Sequence, residues 1–85
     1  MINIKVTYNG KTYNKIEDAF GDAIDSGIKK AIINSVMDKL TPCQPELDNC
    51  GGWLEFIFEK EGYNADINFH DIPSELSSKM KELLS

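Results

Sequence analysis

The chain has 85 residues, with 14 acidic side chains against 9 basic ones and a formal net charge of −5. Every basic residue is a lysine. Without arginine forks to read bases, or a cationic excess to neutralise phosphates, a nucleic-acid partner is disfavoured. The 41% hydrophobic and 27% charged content belongs to a folded globule rather than a disordered chain. This length predicts one domain, 1–85, with a single modest core.

The first residues, Met1-Ile2-Asn3-Ile4-Lys5-Val6, alternate in polarity and do not form the basic head and apolar run of a secretory signal. No stretch approaches the ~20 apolar residues that span a bilayer. The expectation is a cytoplasmic protein with no membrane partner.

Ile2, Ile4, Val6 and Tyr8 alternate with Asn3, Lys5, Thr7 and Asn9, the period of a half-buried strand. Asn9-Gly10 is a turn signal, because both residue types tolerate positive φ. Lys11-Thr12-Tyr13 then returns as a short arm, expected to contribute little. Asn14 and Glu17 have capping-box spacing, so a helix is predicted from about Lys15. Its apolar stripe is Ile16, Ala19, Phe20, Ala23 and Ile24.

A second stripe, Ile28, Ile32, Val36 and Leu40, lies on a different helical face from the first. One straight helix over 15–40 would be roughly 39 Å long, whereas a domain of this size has a diameter of about 30 Å. A kink or break is therefore expected at Asp25-Ser26-Gly27, with Ser26 capping the second piece.

Residues 41–52 are dense in turn formers and predict a loop. Trp53 to Glu59 reads as a strand, with Leu54, Phe56 and Phe58 on one face and Trp53, Glu55, Ile57 and Glu59 on the other. Lys60-Glu61-Gly62 supplies a turn. Ala65, Ile67 and Phe69 then alternate with Asn64, Asp66, Asn68 and His70 to complete a hairpin. Asp71-Ile72-Pro73-Ser74-Glu75 opens a last helix whose buried stripe is Leu76, Met80, Leu83 and Leu84.

The resulting fold class is α+β in two layers. A three-stranded, mainly antiparallel sheet carries a kinked or broken helix (about 15–40) and a C-terminal helix on one face, in the order β-α(α)-β-β-α. Strand one lies parallel to the Trp53 strand if the helical segment acts as a crossover, and antiparallel if it is a helical hairpin.

Few residues suggest chemistry. Cys43 and Cys50 are the only cysteines. A disulfide between them is sterically feasible but would not persist in a reducing cytosol, so free thiols are expected. Zinc needs four ligands, commonly with tighter cysteine spacing, and the single His70 leaves at most three, so no metal or cofactor is predicted. His70 itself reads as a solvated side chain on the polar face, with no spacing that aligns it with a nucleophile. Glu17, Asp18, Asp22 and Asp25 read as a solvated helix face. Gly51-Gly52 precedes a strand, not a helix, and reads as a backbone bend instead of a phosphate loop.

The one pattern that points to function is Trp53 with Ile57, an apolar pair on the polar side of its strand flanked by Glu55 and Glu59. Such a pair either lies under the 41–52 segment or marks a contact surface. The expected function is non-enzymatic: a small interaction module meeting a protein partner or forming a homodimer, through the Trp53/Ile57 face or the Ile28–Leu40 stripe. The alternative is an acidic, antitoxin-like inhibitor of a basic partner, and a minimal enzyme is the weakest of the three.

Overall fold

The alternating segments form four strands, β1 (Asn3–Tyr8), β2 (Lys11–Tyr13), β3 (Trp53–Phe58) and β4 (Ala65–His70). They are seen in a computed structural model that describes residues 2–20, 26–59 and 65–85. The helices are α1 (Ile16–Phe20), α2 (Ser26–Leu40), α3 (Gln44–Cys50) and α4 (Ser74–Leu84). The expected roles of Asp22, Ala23, Ile24 and Asp25, the capping by the Ser26 side chain, the 60–62 turn and Asn64 lie outside the described residues.

The class is α+β as expected, but the sheet is four-stranded and mixed, in the order β2-β1-β3-β4. Two corrections follow. The short arm Lys11–Tyr13 is a full member of the sheet, because it pairs antiparallel with β1 from Tyr8↔Lys11 to Val6↔Tyr13. That pairing turns β1 into an inner strand, and Val6 is completely buried. The sheet is also not mainly antiparallel at its centre, since β1 runs parallel to β3 from Asn3↔Trp53 to Tyr8↔Phe58. Residues 14–52 carry the chain back before β3 begins, as a parallel pair requires. The turn at Asn9-Gly10 has φ of 52° and 83°, the positive values of a type I′ hairpin.

Alternation divides the sheet into two faces. Leu54, Phe56 and Phe58 are essentially inaccessible, and Ile4, Val6 and Tyr8 of β1 and Ala65, Ile67 and Phe69 of β4 join the same core. Helices cover this side. The Phe20 ring of α1 meets Tyr8 and Phe58 edge-on, with centroids 5.3 and 5.4 Å away.

The proposed Ile28–Leu40 partner stripe is a third correction. The face of α2 turned to the core runs through Lys29, Ile33 and Leu40, with Ile32, Val36 and Met37 half-buried beside it; of the predicted stripe, Ile28 alone is exposed. Lys29 disguises this face in the sequence. Its aliphatic stem is buried and its Nζ lies 5.4 Å over the Tyr8 ring, so a charged residue occupies a core position.

The segment expected to be a loop is largely helical. A 3₁₀ turn at Thr41–Cys43 leads into α3. Pro42 and Pro45 each stand in the first turn of their helical piece, where a missing N–H costs nothing. Leu40, Cys43 and Leu47 continue one buried stripe through both prolines. In α4, Leu76 and Met80 are buried and Leu84 is half-buried at i, i+4 spacing, whereas Leu83 falls off that line and is exposed.

Two glycines make the turn from α3 into β3. Gly51 caps α3 in the left-handed conformation (φ 70°) and its N–H donates to the Leu47 carbonyl at 3.0 Å. Gly52 is needed for space: a Cβ there would lie 2.5 Å from Cγ1 of Ile72 and 3.2 Å from both the Asp71 carbonyl and Cys50 Sγ. Gly52→Ala is expected to lower the unfolding free energy by about 1–3 kcal/mol through overpacking. Urea unfolding of the two proteins checks this, and an unchanged midpoint would contradict the close approach.

Candidate functional site

The face of the sheet turned away from the helices brings side chains from all four strands into three rows. Asn3, Trp53 and His70 form one; Lys5, Glu55 and Asn68 the next; Thr12, Thr7, Ile57 and Asp66 the third. Each row is the strand register itself, because directly paired residues point to the same side.

Trp53 is half-buried although no helix covers it. The His70 imidazole lies flat against the indole, with ring centroids 4.0 Å apart and planes 10° from parallel. Lys5 Nζ stands over the indole at 4.8 Å. An imidazole and an ammonium thus shield the hydrophobic ring while leaving it part of the surface.

Glu55 organises the polar centre. Its Oε2 accepts from the Thr7 hydroxyl at 2.8 Å and its Oε1 lies 3.1 Å from His70 Nε2. A carboxylate only accepts, so Nε2 carries the imidazole proton. The Thr7 proton is committed to Glu55, which makes Thr12 the donor in the 2.9 Å Thr7–Thr12 contact. Donation by Thr7, then by His70 and Asn68, holds the Glu55 carboxyl below its ordinary value.

The sequence prediction placed Trp53, Glu55 and Ile57 together, and the structure does so. Glu59 lies just beyond β3 and is exposed. The 41–52 segment does not fold over the apolar pair, because Cys43 and Leu47 draw it into the core on the opposite side. His70 is a correction: far from being merely solvated, it is stacked on Trp53 and bonded to Glu55. Lys5 and Thr7 were also missed. The signal for His70 was available in part, since the hairpin register that pairs Glu55 with Asn68 also sets Trp53 against His70; Lys5 and Thr7 enter only through the parallel pairing of β1 with β3, which the sequence left open.

Other candidates are not drawn into this face. Cys43 is a buried free thiol and Cys50 a half-buried one, whose Sγ contacts the Leu47 carbonyl at 3.5 Å. Glu17 and Asp18 are exposed on α1. Among the described residues no group of three or more His, Cys, Asp or Glu side chains is arranged to hold a metal ion. Among the described residues, surface depressions away from this face include one between α3 and α4 around Cys50 and Leu76 and another around Ile4, Ile16 and Met37. No helix among the described residues is long and apolar enough to cross a membrane.

No protein family, curated protein sequence or solved structure matches the chain. The functional reading therefore rests on this geometry.

The depressed Glu55 carboxyl has a pH signature. A group whose folded value is lowered contributes stability that is fully present above its unfolded value, near 4.5, and is lost as pH falls through the folded value. Glu55→Gln is expected to cost about 1–2 kcal/mol at neutral pH, the worth of charge-assisted hydrogen bonds. The gap between wild type and variant should then close on acidification below the ordinary glutamate range. Urea unfolding across pH measures it, and a gap independent of pH would show that the carboxylate charge is not what the network stabilises.

Proposed function

We propose that the protein is a non-enzymatic interaction module and that the open face of the sheet is its contact surface. The observation that carries this reading is the half-buried Trp53–His70 stack, with Ile57 four residues along the strand on the same face and a hydrogen-bonded rim of Thr7, Glu55 and Asn68. Interface centres favour a large, rigid aromatic surrounded by polar groups that exclude water. Here the ring is already held on both sides, so little side-chain entropy remains to be lost on binding. His70 supports the same reading over a catalytic one: its Nε2 proton serves Glu55 and its ring face serves Trp53.

The partner that suits this face is a protein surface offering an apolar or aromatic patch to Trp53 and Ile57, with polar groups for the rim. Lys5 and Asp66 give the face both signs of charge, which distinguishes it from the uniformly acidic surface that an inhibitor of a basic partner would use.

The test is quantitative capture of partners by the immobilised wild type, by Trp53→Ala and by Lys39→Ala, an exposed control on α2. A protein bound by wild type and control but reduced about 30-fold with Trp53→Ala, as for an aromatic that dominates an interface, supports the proposal. Its retention should change little with salt. Capture indifferent to Trp53 would overturn the open-face reading, and binding that collapses steeply with salt would favour the acidic-inhibitor function.

A further inference from the structure

The two outer strands of the sheet are protected unequally. β2 is three residues long and carries Lys11, whose Nζ lies 5.4 Å over the Tyr13 ring. A short edge bearing a lysine discourages pairing with another chain. β4 is six residues long, Ala-Asp-Ile-Asn-Phe-His, with neither lysine nor proline. Among the described residues no strand pairs with its outer side.

Apolar surface also runs out to this edge. Leu54, Phe56 and Phe58 of β3 are 0%, 0% and 1% exposed, while their direct partners Phe69, Ile67 and Ala65 in β4 are only half-buried. The helical layer thus covers the inner strand fully and the outer strand incompletely. Extending the sheet by one more strand would cover what is left.

The sequence of β4 is complementary to itself. Antiparallel pairing about a two-fold axis at Ile67 sets Ile67 against Ile67 of the second copy, Asp66 against its Asn68, and Ala65 against its Phe69. On the open face each Asp66 carboxylate then accepts from an Asn68 amide, twice by symmetry. On the helical face the small Ala65 leaves room for the Phe69 ring, over which Lys81 of α4 places its Nζ at 6.0 Å. A shift of the axis to Asn68 would set Asp66 against His70, whose Nε2 proton is already given to Glu55.

We propose that the chain forms a homodimer by antiparallel β4–β4 pairing with Ile67 on the axis, joining two four-stranded sheets into one. The interface is isologous, so it closes at two copies. It leaves Trp53 and Ile57 uncovered and presents the open face twice, in one continuous sheet. The inference is independent of the partner-binding reading, and either can fail alone.

Sedimentation equilibrium of the full chain tests the assembly. A monomer–dimer equilibrium is expected, shifted towards dimer by added salt, because each copy carries a net charge of −5 that opposes association. Ile67→Lys sets two ammonium groups together on the axis and should give a monomer with unchanged circular dichroism. Paired Cα atoms in antiparallel strands lie about 4.5–5.5 Å apart, a span that a disulfide can bridge. In a Cys50→Ser background, Ile67→Cys should therefore become a covalent dimer under mild oxidation, and Asp66→Cys should not. Wild type that stays monomeric at every concentration and salt overturns the proposal, as does cross-linking of Asp66→Cys as fast as Ile67→Cys. The cysteine pair decides the register even if Ile67→Lys fails to fold.

Discussion

The structure depends on the two-sidedness of β3. Leu54, Phe56 and Phe58 point into the helices and are withdrawn from water almost completely, while Trp53, Glu55 and Ile57 point the other way. Strands lie on both sides of β3, so its register fixes which residues of β1 and β4 share each face. A slip of one residue would push three bulky apolar side chains into water and draw Glu55 into the core. The burial of those three side chains is worth roughly 1.5–3 kcal/mol each, which is why no such slip competes.

The contact surface follows from the same constraint. Once Leu54 and Phe69 are paired in the core, Trp53 must stand opposite His70 and Glu55 opposite Asn68. The directed chain from Thr12 through Thr7 to Glu55, met from the other side by His70, exists because four separate strands are held at sheet spacing. A rigid framework of this kind positions polar groups before any partner arrives. The helical layer, in turn, accounts for why this face is left open: Cys43 and Leu47 pull the 41–50 segment to the core side, where Leu40 and Ile33 already lie.

Where sequence reading failed, it failed on residues whose chemistry conceals their position. Lys29 sits on the buried line of α2, and a lysine breaks the apolar pattern that would have revealed that line; the periodicity therefore pointed to Ile28, which is exposed. Pro42 and Pro45 suggested a loop because proline is usually a breaker, yet both stand where a helix tolerates it. The Leu40, Cys43, Leu47 spacing was the better guide. The hairpin arm at Lys11–Tyr13 was undervalued because its length says nothing about where it lies, and its importance comes from making β1 an inner strand.

What the amino-acid sequence determined by itself was local and periodic: the alternation in β1, β3 and β4, the positive-φ turn at Asn9-Gly10, the proline-led start of α4 and the pairing of Trp53 with Ile57 on one face. These depend on bond geometry and on side-chain spacing within a few residues, so the chain states them directly. Tertiary structure alone decided that β1 and β3 run parallel, that Lys29 reaches Tyr8, and that His70, Lys5 and Thr7 gather around Trp53 and Glu55. Those contacts join residues that are far apart in the chain, and they form only when burial of the shared core has set the register between strands.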